Sequence, residues 1–386
     1  MMSQNSDQLK DPEALGYIQI EIFKNPSRKW LSEAWQSLEV TAEPNIFLSW
    51  LWISTWLDCF VNEMYVIEAR QNHETVGLGI LVKERSSLYS FIVGDVYHLH
   101  RTGDPSSDQI WIEYNDFLLR KDNADAIRDA MLTRIRYWLE SRDILSIGAG
   151  LQQRFSRLTE LGLIRRDVWK TTTYSLNLAA LRESNKEFLS TLSKNTRYQI
   201  RRSKKRHEDA GTLNVRTAEN THEALDMFSC AAPFHIARWN HSPMGSGFTN
   251  PLFTLFHTQL IKRGIAKGFI EISHVTNGGE TLAYIYNLRH KRRVYFYLSS
   301  INYARANNQL KPGLLAHYLL IEKALNDDVD IYDFMGGEAQ YKKSFCSDQE
   351  TLTVSSFRNT DLISDSTQIL RNVKTKLFNK NSLPNH

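Results

Sequence analysis

Between Phe269 and Ser300, three stretches alternate apolar and polar residues: Phe269–Val275, Thr281–Arg289 and Val294–Ser300. A period of two marks strands with one buried face. Asn277-Gly278-Gly279 between the first two reads as a tight hairpin, because these residues accept the left-handed backbone that such turns need. Pro312-Gly313 then opens a helical pattern that runs to Leu325, with proline where its missing N–H costs nothing. Ile331–Met335 follows as another strand. Three antiparallel strands, a helix and a further strand predict a mixed α/β unit, its sheet flanked by helices.

A similar order of elements comes earlier in the chain. Tyr17–Phe23 alternates like a strand, Trp30–Leu38 and Ile46–Phe60 read as helices, and Tyr65–Arg70, Val76–Val82 and Tyr89–Leu99 alternate again. Trp111–Leu119 is expected as a strand, Ala124–Leu139 as a helix, Ile144–Ile147 as a short strand, and Leu151–Leu161 as a helix closed by Gly162. The second unit opens with Thr172–Leu178, then a long helix Glu187–Ala210 closed by Gly211, the strand Leu213–Thr217, and a helix from an N-cap at Thr221 to Trp239. Two units fit the length of 386 residues. The expected limits are 15–168 and 169–372, with 373–386 a flexible tail.

Several function classes are disfavoured. The chain has 42% hydrophobic and 23% charged residues, as soluble globular proteins do. No apolar stretch is long enough to span a bilayer, since Ser49, Ser54, Thr55 and Asp58 interrupt the best candidate, Ile46–Phe60. Met1–Asp11 has no apolar signal core. Three scattered cysteines, Cys59, Cys230 and Cys346, point to a reducing compartment rather than a disulfide framework. A cytoplasmic protein, at most peripheral to the inner membrane, is the expectation. No zinc-type spacing occurs, so no metal is expected; His98 and His100 share a strand face without a third ligand.

Acyl transfer from a thioester needs a strand edge for a peptide-like arm, a helix N-terminus for phosphates, a base for the acceptor and an N–H for the oxyanion. Leu298-Ser299-Ser300 ends a strand, and Lys311 with Gly313-Leu314-Leu315 begins a helix; together they could bind such a donor. The run Asp333-Phe334-Met335-Gly336-Gly337-Glu338 supplies two candidate bases, Asp333 and Glu338. Lys342 is a candidate substrate-contacting cation. Tyr297 and Tyr341 could protonate a leaving thiolate. Each has a structural alternative: an ion-paired strand carboxylate, an exposed lysine, a packed tyrosine. Net charge is only +4, yet one helix carries Lys194, Arg197, Arg201, Arg202, Lys204, Lys205 and Arg206. Arg197 and Arg201 there are candidates for an anionic or nucleotide-linked substrate, a membrane surface or RNA; a solvated face is the alternative. No Ser-His-Asp or Cys-His arrangement suggests a covalent acyl-enzyme.

These residues carry a resemblance. Leu192-Ser193 with the basic helix Arg197–Arg206, Tyr297-Leu298-Ser299, Pro312-Gly313-Leu314-Leu315, Tyr332–Glu338 and Tyr341-Lys342-Lys343-Ser344-Phe345 resemble the CelD-like (cellulose biosynthesis) family of GNAT-superfamily acyltransferases, relatives of the Fem aminoacyl transferases. Trp30, Trp35, Leu38, Phe47, Trp50, Trp56, Phe60 and Tyr114-Asn115-Asp116-Phe117-Leu118 match in the first half. The resemblance covers roughly Ile18–Phe357. It implies two tandem GNAT-like folds with mixed, mainly antiparallel sheets, and acyl-CoA, acetyl-CoA first, as co-substrate. The implied acceptor is a small molecule or saccharide, an amine or hydroxyl of a sugar, polysaccharide or envelope precursor. The chain departs from the usual pattern at Gln309–Leu314, which lacks the Gly-rich pyrophosphate loop, so aminoacyl-tRNA stays open as the donor. A non-catalytic polysaccharide- or membrane-binding module is the rival outside enzymology.

Overall fold

The computed structural model describes residues 17–84, 94–242, 245–307 and 309–359. Its first half runs β1 (Gln19–Lys24), α1 (Arg28–Thr41), α2 (Trp50–Phe60), β2 (Tyr65–Gln71), β3 (Glu74–Lys83), β4 (Val96–Leu99), β5 (Leu118–Leu119), α3 (Ala124–Trp138), β6 (Ile144–Leu151), α4 (Ser156–Glu160) and β7 (Ile164–Asn177). Then come α5 (Leu178–Glu183), α6 (Phe188–Thr191), α7 (Lys194–Ala210), β8 (Leu213–Thr217), α8 (Thr221–Trp239), α9 (Pro251–Gly264), β9 (Ile270–Asn277), β10 (Glu280–His290), β11 (Arg293–Ile301), α10 (Pro312–Asn326), β12 (Ile331–Gly336), α11 (Gln340–Phe345) and β13 (Asp348–Arg358).

Among the described residues all strands join one thirteen-stranded sheet, ordered β1-β2-β3-β4-β6-β13-β7-β12-β11-β10-β9-β8, with β5 beside β3. The topology repeats. β1 to β4 are antiparallel neighbours and β4 runs parallel to β6. Likewise β8 to β11 are antiparallel and β11 runs parallel to β12. The tandem fold therefore exists as two half-sheets fused through β13 and β7. The limit expected near residues 168 and 169 falls inside β7, and β13 pairs with both β6 and β7. The tail 373–386 lies outside the described residues.

Aromatic packing locks the halves together. Trp52, Trp56 and Trp35 are fully buried. The Trp52 ring meets Phe47 and Phe256 at 4.8 Å and Tyr297 at 6.0 Å, so α2 of the first half is held against α9 and β11 of the second. Large aromatic side chains of this kind dominate core energetics.

Local departures have local causes. The helix expected over Glu187–Ala210 is broken: Ser193 leaves it, and its hydroxyl accepts from Thr196 N to cap α7. Asn220, not Thr221, caps α8, its side chain accepting from Glu223 N. Leu151–Leu161 is not one helix but the end of β6, a 3-10 turn and the short α4. Trp111–Leu119 is a strand only at Leu118–Leu119, because Trp111 and Tyr114 take positive φ and interrupt the alternation.

Candidate functional site

The parallel pair β11–β12 holds register for three residues only, Arg293↔Ile331, Val294↔Tyr332 and Tyr295↔Asp333. Beyond them β11 continues to Ile301 beside β10, while β12 turns away at Gly336. β11 also carries an extra residue: Tyr286 pairs with Leu298 and Asn287 with Phe296, leaving Tyr297 as a bulge. Bulges re-aim a strand and release part of its ladder. A diverging strand pair with a bulge at its mouth offers main-chain polar groups to a ligand.

A charged cluster occupies the base of this divergence. Asp333 is fully buried. Its Oδ1 accepts from Tyr114 Oη at 2.9 Å and from Met335 N at 2.7 Å. Arg293 Nη2 lies 3.0 Å from Oδ2, close without being aligned for a hydrogen bond, and its guanidinium covers the rings of Tyr114 and Tyr295. Burial raises the Asp333 carboxyl despite these partners. Met335 has φ of 58° and Tyr114 has φ of 53°, strain of about 1–3 kcal/mol each. Those two bends bring the 111–114 segment against the end of β12.

That segment delivers Glu113, which sequence reasoning missed. Its Oε2 accepts from Gly336 N at 2.8 Å. Burial pushes its carboxyl up to about 7, and the repulsion of Asp333 adds to this; the Gly336 N–H and Lys342 pull the other way. The residue as a whole is only partly covered. The signal was present: a lone carboxylate among Trp111, Ile112 and Tyr114 has no structural reason to be there. Reading the stretch as a strand hid it.

Lys342 is buried, and its ammonium donates to Gly336 O and sits above the Phe296 ring. Burial lowers its pKa, opposed by Glu113, Asp333 and Glu338. Tyr341 stacks on His317 at 4.6 Å, and both pack near Phe296. Asp333 and Lys342 therefore belong to one cluster with Glu113, while Glu338 stands outside it. The Glu338 side chain is exposed, 3.3 Å from Lys343, which holds its carboxyl low. That disfavours it as a base.

Tyr297 faces elsewhere. Its buried hydroxyl donates to Ile110 O and lies 3.0 Å from His257 Nε2. Because Ile110 precedes the 111–114 segment, this bond positions Glu113 from the other side. A proton-donor role for Tyr297 has no support in this geometry, because the hydroxyl is already committed in the core. Leu298 is core, Ser299 is partly exposed, and the buried Ser300 hydroxyl has no partner among the described residues. Lys311 is the N-cap of α10 and its N–H donates to Ser203 Oγ at 3.0 Å. Gly313 and Leu314 occupy the first turn, and Leu315 is buried. Arg197 folds back onto Ser190 O and Leu192 O, and Arg201 is exposed on α7; among the described residues no contact ties either to the cluster. Among the described residues no group of three or more His, Cys, Asp or Glu could hold a metal ion. His98 instead pairs with Glu84, and His100 with Asn115.

The fit around Glu113 is tight enough to test. A Cβ built on Gly336 would lie 2.8 Å from Thr171 Cγ2 and 2.9 Å from Glu113 Oε1. Gly336→Ala is expected to destabilise the protein by about 1–3 kcal/mol through overpacking. The midpoint of urea unfolding reads this; an unchanged midpoint would mean the contact relaxes freely.

Residues 194–343 match the family described as Acetyltransferase (GNAT) domain. Solved structures share the fold across nearly their whole length. FemX superposes with a TM-score of 0.53 at 11% identity, covering 86% of this chain and 96% of its own. A candidate lysylphosphatidylglycerol synthetase C-terminal domain from Agrobacterium fabrum gives 0.51 at 10% identity, covering 90% and 97%. L-PGS from Bacillus licheniformis gives 0.50 at 10% identity, covering 88% and 96%. No curated protein matches the sequence. The fold is a GNAT fold with a mixed sheet flanked by helices, and the match over residues 194–343 supports an acyltransferase.

Proposed function

We propose that this acyltransferase moves an acyl group, acetyl first among candidates, from acyl-CoA to an amine or hydroxyl of a sugar, polysaccharide or envelope precursor. The observation that carries the reading is the divergence of β11 from β12 beyond Tyr295 and Asp333, with Glu113 at its base. The donor arm lies along Tyr297–Ser300, where the bulge frees main-chain groups, and its phosphates meet Lys311 and the first turn of α10 at Gly313–Leu315. Glu113 takes the proton as the acceptor attacks the thioester carbonyl. A new bond to carbon forms, an N–H of the splayed strand holds the oxyanion, and the C–S bond breaks to release a thiolate that then takes up a proton. Lys342 keeps the cluster polarised. Attack is direct, with no acyl-enzyme.

A second reading keeps the fold and changes the donor. Gly313 is the single glycine between Ile301 and Asn326, so the backbone cradle for a pyrophosphate is reduced to one helix turn. That favours transfer from aminoacyl-tRNA, with FemX among the structures of this fold. A thermal-shift series with acetyl-CoA, longer acyl-CoAs and UDP-sugars, followed by thiol release on any hit, decides. At a hundred times Kd, the binding CoA is expected to stabilise by about 2.7 kcal/mol. No shift with any CoA, together with an activity abolished by RNase, overturns the first reading for the second.

A further inference from the structure

We propose that α7 is a docking surface by which the protein rests on an anionic lipid bilayer. The helix spans Lys194–Ala210, and its buried residues Thr196, Ile200, Ser203 and His207 form one stripe facing the core. At 100° per residue, Lys194, Tyr198, Arg201 and Lys205 lie on the opposite side, pointing straight away from the protein. All four are exposed, and Tyr198 is 58% exposed.

These cations are not spent inside the fold. Lys194, Arg201, Lys205 and Arg206 form no salt bridge among the described residues, whereas Lys204 pairs with Glu208 at 3.6 Å. Arg202 lies over the Tyr198 ring at 5.1 Å, which fixes the tyrosine upright amid the charge. The ridge from Lys194 to Lys205 is roughly 16 Å long. Such a concentration contrasts with a whole-chain charge of only +4.

The shape selects the partner. An open hollow of about 550 Å³ is lined, among the described residues, by Lys194, Arg197, Tyr198, Arg201, Arg202 and Lys205. Among the described residues all of the lining comes from this one helix, so no clasp is built there around a strand or a small ligand. An open, exposed row of cations with an aromatic at its centre fits a plane of phosphates, where each Lys or Arg gains from the negative surface potential and tyrosine sits at headgroup level. The inference is independent of the donor and acceptor at the cleft. It would keep an enzyme without a membrane-crossing helix among its described residues close to a surface-bound acceptor.

Co-sedimentation of the full chain with vesicles tests it, using phosphatidylcholine alone and phosphatidylcholine with about 30 mol % phosphatidylglycerol. Binding is expected only to the anionic vesicles and to weaken as salt shortens the Debye length. The triple substitution Lys194→Gln, Arg201→Gln, Lys205→Gln is expected to weaken it on the order of 100-fold with an unchanged melting curve. A charge-matched control, Lys170→Gln, Lys262→Gln, Lys267→Gln, is expected to bind as the wild type does. If the triple variant melts early, the single variants Arg201→Gln and Lys205→Gln carry the test, each weakening binding several-fold. Equal loss in the control, no binding to anionic vesicles, or tighter binding to a single-stranded RNA oligonucleotide than to vesicles overturns the proposal.

Discussion

Replacing Glu113 by Gln is expected to lower acyl transfer by roughly 10²–10⁴-fold, the usual contribution of a positioned general base. The substitution keeps the hydrogen bond from Gly336 N, since an amide oxygen accepts as a carboxylate does. The fold should therefore survive, and the loss should fall on kcat more than on KM. The wild-type rate is expected to rise with pH through about 7, because Glu113 works deprotonated and burial holds its pKa there. Stability should run the other way. The folded carboxyl binds its proton more tightly than an unfolded glutamate, near 4.5, so between those values the native state holds the extra proton. Its contribution is full below about 4.5 and is lost as pH rises through about 7. Glu113→Gln should flatten both profiles. A variant that keeps more than a tenth of the activity, with the acid limb intact, would remove Glu113 from the mechanism.

Asp333→Ala should cause the largest loss of stability among single changes at the cluster, about 3–5 kcal/mol. Asp333 is fully buried, accepts from Tyr114 Oη and Met335 N, and faces the Arg293 guanidinium. Removing it strands a largely buried cation and leaves two donors without an acceptor. It also releases Met335 from a positive φ that these contacts enforce. Asp333→Asn should be milder, because its amide oxygen in the place of Oδ1 still accepts from both donors. Adding Arg293→Leu to Asp333→Ala should recover part of the loss, since the uncompensated charge is then gone. Urea midpoints for the three variants give the comparison. Equal stability of Asp333→Ala and wild type would mean the cluster contributes nothing net.

Much of the fold was readable because it rests on near neighbours. The alternation at Phe269–Val275 and Thr281–Arg289, the glycines at 278 and 279, and Pro312 at a helix start specify their elements through contacts a few residues apart. The break at Ser193 was also readable, as a hydroxyl three residues before Thr196, although the run of charge around it suggested one long helix. What failed was Trp111–Leu119. Its composition suits a strand, but buried polar partners override the pattern: Asn115 binds Leu99 O and His100, and Asp116 binds Arg128 and Arg154.

The site divides along the same line. Asp333 and Lys342 could be named from a run of ten residues, and the cluster contains both. Glu338, in the same run, points outward, because Gly336 and Gly337 turn the chain after β12. Glu113 stood out only as a carboxylate in an apolar run and could not be placed, since it meets Gly336 across 223 residues of chain. The sequence alone determined the tandem order of strands and helices, the capped basic helix and the residue types at the end of β12. Only the tertiary structure decided which carboxylates lie together at the base of the β11–β12 divergence and which one points outward. Periodicity and capping act within a turn or two of helix or strand, whereas burial, charge pairing and the resulting pKa depend on whatever the fold brings alongside.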